Sequence, residues 1–406
     1  MREDPNQPDR EPAVTGDPGA VAADLVEALR REAVRLGFSR LGIARAAPPP
    51  RQDRVRRWLD DGHAGAVGEW MERQQPLRAD PNGLLDGVRS VIMLATDHAT
   101  HGGEPSGCGD RPPAPVAGRG RVARYAWGGD YHDLLRGRVN LLASWLEARV
   151  PGCRTRGVVD SAPLPEREFA WLAGLGWFGK NTMLIDPRAG SYFLLTALLT
   201  DLELPVDAPV EVDHCGSCTA CLDACPTGAF VAPRVLDANR CISSLTIEDH
   251  GAVAADLRAG MQDWVFGCDV CQEVCPWNRH APGSAEPAWQ PREGEATLGL
   301  AGLLALDEPA FRRRFKGSPL VRAKRRGLLR SAAIALGNRP DAASLESLVG
   351  ALDDVDPVVR GAAAWALGRW CRLECGLAAP ARAALVARLQ VEADAQVRGE
   401  ITAAVG

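Results

Sequence analysis

Cys215-Gly-Ser-Cys218-Thr-Ala-Cys221-Leu-Asp-Ala-Cys225-Pro226 decides how this chain is read. Cysteines spaced in this way, the last before proline, form the run with which bacterial ferredoxins hold one iron–sulfur cluster and lend the fourth thiolate to another. A second run, Cys268-Asp-Val-Cys271-Gln-Glu-Val-Cys275-Pro276, lacks its first cysteine, because Val265 stands there. Cys241 is the available substitute. The division then closes: Cys215, Cys218, Cys221 and Cys275 for a first 4Fe-4S cluster, and Cys225, Cys241, Cys268 and Cys271 for a second. Zinc is the competing reading, since paired Cys-x2-Cys knuckles bind it readily. The run of three close cysteines, the Cys-Pro at both ends and the even split into two fours favour iron. Cys108, Cys153, Cys371 and Cys375 have no such spacing; they read as small apolar residues or idle surface thiols.

The remaining composition is that of an ordinary globular protein. The chain has 406 residues, 46% hydrophobic and 24% charged, enough for two or three domains with sizeable cores. Residues 1–20 are polar and proline-bearing, and read as a disordered tail rather than a signal peptide, because no apolar run follows a basic start. No apolar stretch approaches the roughly eighteen residues needed to span a bilayer; the longest, around Tyr192–Thr200, is cut short by Asp201 and Glu203. A cytoplasmic protein with no membrane contact is expected, and clustered cysteines in a reducing compartment point to metal rather than disulfides. The formal net charge of −5 argues against a generic nucleic-acid coat protein but leaves room for a local basic surface.

Upstream of the cysteines, helical and strand patterns alternate. Asp24–Leu36 has helical spacing, Leu41–Ala44 and Ser90–Ala95 read as short buried strands, His101–Gly120 as a Gly- and Pro-rich loop, and Asp133–Arg149 as a helix. Arg156–Asp160 reads as a strand leading to a loop, Glu166–Leu175 as a helix closed by Gly176, and Ser191–Leu199 as an apolar strand or buried helix. An α/β domain over 21–208 is expected, followed by a ferredoxin-like segment over 209–280 and a linker with helices over 281–320. The last segment, 321–406, is all helix. Leu328–Gly337 and Val359–Gly368 both end in Ala-Leu-Gly, and Asp356-Pro357 precedes the second. This is the pattern of a short HEAT-like helical repeat, with an ordinary helical bundle as the alternative. No Gly-rich nucleotide-binding fingerprint is present. Two linked clusters beside a domain of this size suggest that electrons are fed to a reaction centre held by the first two hundred or so residues.

Several segments together resemble one family. They are Arg124-Tyr-Ala-Trp-Gly-Gly-Asp-Tyr-His132, Val159-Asp-Ser-Ala-Pro163, Ala173-Gly-Leu-Gly-Trp-Phe-Gly-Lys-Asn-Thr182, Gly190-Ser191, Cys225-Pro-Thr-Gly-Ala229, Arg240-Cys-Ile-Ser-Ser-Leu-Thr246 and Gly267-Cys-Asp-Val-Cys271. The chain resembles the epoxyqueuosine reductases over about residues 20–370. That resemblance implies an α+β or α/β cobalamin-binding domain similar to the core of reductive dehalogenases, then the cluster domain and the repeat. It implies the last step of queuosine synthesis, removal of the epoxide oxygen at the wobble position of tRNA. The implied cofactors are two 4Fe-4S clusters and a base-off cobalamin, whose cobalt, reduced to a nucleophilic state, engages the epoxide. A low-potential donor such as a flavodoxin or ferredoxin system would supply electrons, and a monomer is expected.

The resemblance also assigns roles. Asp160 matches the general acid, a role that calls for a carboxyl raised by burial well above its ordinary value of about 4. Arg78, Ala123, Asp160, Lys180, Asn181, Leu184, Ser243, Ser244, Cys268 and Asp269 are the expected cobalamin contacts. Ala123 stands where some members carry a cysteine able to approach cobalt, so no thiolate ligand comes from there. His132 does not complete a cobalamin-binding Asp-x-His-x-x-Gly pattern, because Leu135 replaces the glycine; it reads as a structural or substrate-side residue. Gly129 stands where a charged or amide residue is usual.

For RNA, the stretch Arg312–Arg330 offers Arg312, Arg313, Arg314, Lys316, Arg322, Lys324, Arg325, Arg326 and Arg330 with no acidic residue. Such a run reads either as phosphate contacts or as a solvated helix face. Two other functions stay open at this point: a corrinoid, dehalogenase-like reductase of a small molecule, and a zinc-knuckle RNA-binding module on a helical scaffold.

Overall fold

The computed structural model describes residues 18–100, 116–292, 296–372 and 376–405. Residues 1–17 of the expected tail, the bulk of the His101–Gly120 loop, Cys108 and Cys375 lie outside the described residues. The first domain contains α1 (Pro18–Arg35), β1 (Arg40–Arg45), α2 (Gln52–Asp60), α3 (Gly68–Ala79), β2 (Ser90–Asp97), β3 (Arg119–Val122), α4 (Tyr131–Arg149), β4 (Thr155–Val158), α5 (Glu166–Leu172), β5 (Trp177–Phe178), β6 (Leu184–Ile185) and β7 (Phe193–Thr200). Pro18–Ala20, placed in the tail by sequence, begin α1, and β3 starts within the segment read as loop. The stretch Ser191–Leu199, left open between strand and helix, is the strand β7.

The main sheet has the order β1-β2-β7-β4. β2 is buried along nearly its whole length because both faces are covered. Ile92 and Leu94 pack with Leu29, Leu135, Val139 and Leu142 of α1 and α4. Val91, Met93 and Ala95 pack on the other face with Phe169 and Ala170 of α5. That alternation within a continuous apolar run is the two-residue period of a central strand. All three strand pairs are antiparallel, with Ile43 opposite Ile92 and Ile92 opposite Leu198. The domain is therefore of the α+β kind; alternation of helix and strand along the chain did not produce parallel crossovers. α4 starts at Tyr131 because the Asp130 side chain caps it, accepting from His132 N.

The cluster segment holds α6 (Ala220–Asp223), β8 (Phe230–Ala232), β9 (Val235–Leu236), α7 (Ile242–Ile247), α8 (Ala255–Arg258), β10 (Trp264–Phe266) and α9 (Val270–Glu273). The segment after it was expected as a linker with helices. It contributes a strand, β11 (Thr297–Gly299), before α10 (Leu300–Leu304) and α11 (Glu308–Arg314). β11 pairs antiparallel with β3, and β10 pairs parallel with β3 from the other side. This small sheet stitches three distant parts of the chain together, and Trp289, between α9 and β11, is buried in the core formed with α1, α4, β1 and β2.

The C-terminal repeat comprises α12 (Lys324–Asn338), α13 (Leu345–Gly350), α14 (Pro357–Cys371), α15 (Ala378–Leu389) and α16 (Ala395–Val405). Asp356 caps α14 by accepting from Val358 N, with Pro357 in the first turn. α12 and α14 approach closely at Gly337, where a Cβ would lie 2.6 Å from the Trp365 side chain and 2.9 Å from Ala366 Cα. The Ala-Leu-Gly ending shared by the two segments is thus a packing requirement. Among the described residues no helix is long and apolar enough to cross a membrane.

Arg330 of α12, 1% exposed, joins the repeat to the cluster segment. Its guanidinium donates to the carbonyls of Asp249 (2.8 Å), Gly251 (2.6 Å) and Leu245. Burial pushes its pKa down to about 10. Arg330→Met leaves those carbonyls without their donor, at about 1–3 kcal/mol each, while relieving the cost of a buried charge. A net loss of at least about 2 kcal/mol in thermal unfolding is expected; unchanged unfolding would show that the bonds contribute little.

Candidate active site and cluster centre

The eight motif thiols fall into two neighbourhoods. Burial, then the thiols of Cys275, Cys215 and Cys218, raise Cys221 above its ordinary value. Cys275 is raised by burial and by Cys215 and Cys218. In the second group, Cys268 is raised by burial and by Cys271 and Cys241, and Cys271 by burial, Cys241 and Asp269, with Cys221 of the first group and Cys225 adding to it. Thiols crowded in this way favour a ligand that accepts them as thiolates. Donors are already in place: Ala229 N lies 3.3 Å from Cys225 Sγ, and the main-chain N–H groups of Ser243 and Ser244 face Cys241. Among the described residues no three His, Cys, Asp or Glu side chains close around one point as they would around a single ion.

Asp160 sits at the end of the main sheet with φ +49, a left-handed conformation uncommon outside glycine. Glu166, at the start of α5, holds it there by accepting Asp160 N–H at 2.9 Å. The Asp160 carboxylate accepts from Tyr131 Oη at 3.0 Å and lies 3.1 Å from His132 Nε2. His132 Nδ1 is 2.7 Å from Asp130, and its ring stacks on Tyr131 with centroids 4.1 Å apart. Burial acts to raise Asp160, but the bonds from His132 and Tyr131 and the charges of His132 and Arg322 win, and the carboxyl is held below its ordinary value. The raised pKa expected for a general acid is therefore not found on Asp160. His132 carries it instead: bonds to Asp130 and Asp160 raise its pKa to about 9. Glu166, raised to about 8 by burial and the nearby Asp160 charge, has no sequence signal that would have marked it.

The site also reaches the clusters and the repeat. Tyr125 is raised by burial and by the charges of both Asp160 and Asp269, so its ring lies between the acid and the second cluster loop. Arg322 is bonded to Glu248 at 2.9 Å and adds positive charge toward Asp160.

Residues 78–161 match the family model described as epoxyqueuosine reductase QueG, residues 214–278 that of a 4Fe-4S double cluster binding domain, and residues 320–406 that of HEAT repeats. The epoxyqueuosine reductase of Pseudomonas aeruginosa is 41% identical over 351 residues, 86% of this chain and 95% of that protein. That of Escherichia coli is 37% identical over 85% of this chain and 89% of its own. The crystal structure of an epoxyqueuosine reductase with an epoxyqueuosine-modified tRNA-Tyr stem loop superposes with a TM-score of 0.84 at 32% identity, covering 95% of this chain and 98% of the other. The chain belongs to the epoxyqueuosine reductase family.

Of the residues that the resemblance marked as cobalamin contacts, some lie near Asp160 or the second cluster loop and others point elsewhere. Arg78 is half-buried and feels the charge of Glu166; Ser243 and Ser244 are half-buried beside Cys241. Ala123 is buried and meets the second cluster loop at Gly267, where a Cβ would stand 2.4 Å from that of Ala123. Asp269 is buried and accepts from Arg124 N at 2.7 Å. Leu184 faces the core under α5. Asn181 is buried and donates to Cys271 O at 3.3 Å, while Lys180 reaches away to the first cluster loop.

The basic run is mostly neutralised internally. Arg312 pairs with Glu308, Arg322 with Glu248, Arg325 with Asp354 and Arg326 with Asp356, and Arg330 is buried. The exposed cations left are Arg313, Arg314, Lys316 and Lys324. The loop bearing Lys316 abuts the acid site, since Gly317 O accepts Asp130 N at 2.9 Å. Arg325→Gln leaves Asp354, with a side chain 5% exposed, buried and unpaired; a loss of about 3–5 kcal/mol is expected. Lys316→Gln is expected to stay within about 0.5 kcal/mol. Equal effects in thermal unfolding would contradict the division between internal and free cations.

Proposed function

We propose that this protein reduces epoxyqueuosine to queuosine in the wobble position of tRNA, as a cytoplasmic oxidoreductase. The observation that carries the proposal is the proton-bearing group Asp130–His132–Asp160, placed between two neighbourhoods of four thiols and a rim of free cations. Overall, an epoxide takes up two electrons and two protons, both C–O bonds break, and an alkene and water leave. The electrons come one at a time through two 4Fe-4S clusters, the first on Cys215, Cys218, Cys221 and Cys275, the second on Cys225, Cys241, Cys268 and Cys271, from a low-potential flavodoxin- or ferredoxin-type donor.

The residues present would suit a base-off cobalamin: an exposed carboxylate bordered by Tyr125, Tyr131 and the second cluster loop, with the small, buried Ala123 packed against that loop. Bound there, the cofactor would supply a strong nucleophile for the epoxide carbon. Arg78, Ser243 and Ser244 are the side chains left to hold its polar periphery, and Cys268 and Asp269 belong to the loop between it and the second cluster.

Proton delivery falls to this chain. A departing alkoxide is a poor leaving group, and a positioned acid typically contributes about 10²–10⁴-fold. His132, protonated at neutral pH, supplies the proton, and the ionised Asp160 carboxylate, bonded to it, keeps the imidazolium charged and turned toward the site. Tyr131 and Asp130 keep the pair in register, and Glu166 keeps the Asp160 main chain turned toward the site. Arg313, Arg314, Lys316 and Lys324 contact tRNA phosphates, while selection rests on the nucleotide that enters the site.

The test uses anaerobically reconstituted protein with cobalamin, a low-potential reductant and tRNA bearing epoxyqueuosine, with the nucleosides weighed by mass spectrometry. Loss of one oxygen mass is expected; no conversion by protein holding both clusters would point to a small-molecule substrate instead. Asp160→Asn should retain both clusters and lose at least about 10²-fold in turnover, and wild-type turnover in this variant would remove Asp160 from the reaction. His132 carries the pH signature. Because its pKa is raised to about 9, the proton is present through neutral pH and lost as pH rises through that value. Turnover should fall above about pH 9, and His132→Gln should be slower with that alkaline limb gone; an unchanged limb would assign it to another group.

A further inference from the structure

Lys180 follows Gly179 in the turn between β5 and β6, and its side chain does something the surrounding motif does not require. Its ammonium donates to the carbonyl of Gly216 at 2.7 Å and to that of Cys218 at 2.9 Å. Both carbonyls belong to the loop that carries Cys215, Cys218 and Cys221. The next residue, Asn181, sends its amide to Cys271 O at 3.3 Å in the second cluster loop. One short turn of the catalytic domain therefore touches both cluster loops, with a full positive charge on one and a neutral amide on the other. The turn itself is fixed from three sides. Arg234 N donates to Lys180 O at 2.9 Å, Arg167 Nη1 donates to Thr182 O at 3.0 Å, and Thr182 holds φ +66.

The two loops differ in solvent access as well. Gly216, Ser217, Cys218 and Thr219 are exposed, whereas Asp269 and Gln272 of the second loop are buried. The first cluster is the one a donor protein can approach. Reduction adds one negative charge to a cluster that four thiolates already make anionic, and no proton accompanies it. The potential of such a cluster is set by net charge, hydrogen bonds and solvent exposure around it. A fixed ammonium on the ligand loop favours the reduced form by direct Coulomb attraction, and does so for one cluster only.

We propose that Lys180 is a positioning residue that raises the reduction potential of the surface-side cluster, making it the port at which a one-electron, low-potential donor protein delivers electrons. This rests on the division of the eight cysteines given above. It also separates Lys180 from the cobalamin contacts expected for its motif.

The experiment is a redox titration of the reconstituted full-length protein, followed by electron paramagnetic resonance, in wild type, Lys180→Gln and Lys180→Arg. The glutamine keeps a donor for the carbonyls and removes the charge, so iron content should remain that of two clusters. At a fixed ambient potential the reduced-to-oxidised ratio of one cluster should fall by about tenfold, equivalent to about 59 mV for a one-electron couple. The other cluster should not move, and Lys180→Arg should restore the lost ratio. Cys218→Ser and Cys271→Ser assign the signals, since each perturbs the spectrum of the cluster it ligates. A shift in the signal that Cys218→Ser perturbs supports the inference. Unshifted potentials in fully loaded Lys180→Gln, or a shift confined to the signal that Cys271→Ser perturbs, would overturn it. If both serine variants perturb a single signal, the ligand division itself fails and the inference falls with it.

Discussion

The relation between the three units depends on a charge buried where water cannot reach it. Arg330 enters the core of the junction from α12 and hydrogen-bonds three main-chain carbonyls rather than a carboxylate. A guanidinium in that position is costly to desolvate, and the carbonyls on its two Nη groups offset that cost although its Nε has no partner. Its planar fork suits carbonyls presented from several directions, as a lysine would not. Those carbonyls belong to the end of α7 and the turn after it, so the same contact orients Cys241, Ser243 and Ser244 at the other end of that helix. The repeat thereby helps to shape the cluster site, and Arg322, one turn before α12, is brought to Glu248 and into the field of Asp160.

In the proposed reaction, electrons and protons approach from different sides. On one side the thiols are half-buried apart from buried Cys275 and exposed Cys218, and Cys225 and Cys241 receive main-chain N–H groups. On the other, the Asp160–His132 pair is open to its surroundings, with an Asp160 side chain 54% exposed. The ring of Tyr125 stands between them, 6.0 Å from that of Tyr131 and 6.2 Å from that of Phe266. Burial raises the Tyr125 hydroxyl far above its ordinary value, so it stays neutral and does not offer a proton to the cluster side. A separator that is polarisable but not acidic keeps the two deliveries independent.

Much of this was legible in the sequence, where local chemistry decides. Cysteine spacing placed the clusters because thiolate ligation tolerates few spacings, and β2 could be read because its neighbours cover both faces. Asp356-Pro357 and the Ala-Leu-Gly endings marked the repeat because helix capping and close packing are local demands. What escaped was set by distant partners. The antiparallel order of the main sheet and the strand β11 depend on pairing across the chain, which a period of two residues cannot specify. Glu166 looked like one more helix-initiating acid until its carboxylate was seen holding Asp160 N–H. The acidity assigned to Asp160 shifted to His132 because two carboxylates converge on one imidazole, and no motif states which of a hydrogen-bonded pair keeps the proton. The basic run misled for the same reason: Asp354 and Asp356, about thirty residues away in sequence, answer charges that appear unanswered in the run itself.

That redistribution of charge bears on how a chain of net charge −5 meets a polyanion. Net charge governs interactions at long range, but these are screened beyond about 10 Å at 0.1 M salt. Within that distance the few cations not held by carboxylates matter most. Lys316 lies on the loop that receives Asp130 N, so it is fixed relative to the proton-bearing group by two bonds to the same carbonyl, Gly317 O, one from the Asp130 main-chain N–H and one from the Arg292 guanidinium. A phosphate gripped there is held at a set distance from Asp160 regardless of the remainder of the surface. In the proposed reading, positioning by these bonds, rather than a broad basic field, would let an acidic protein engage RNA at one place and leave the base that enters the site to decide whether chemistry follows.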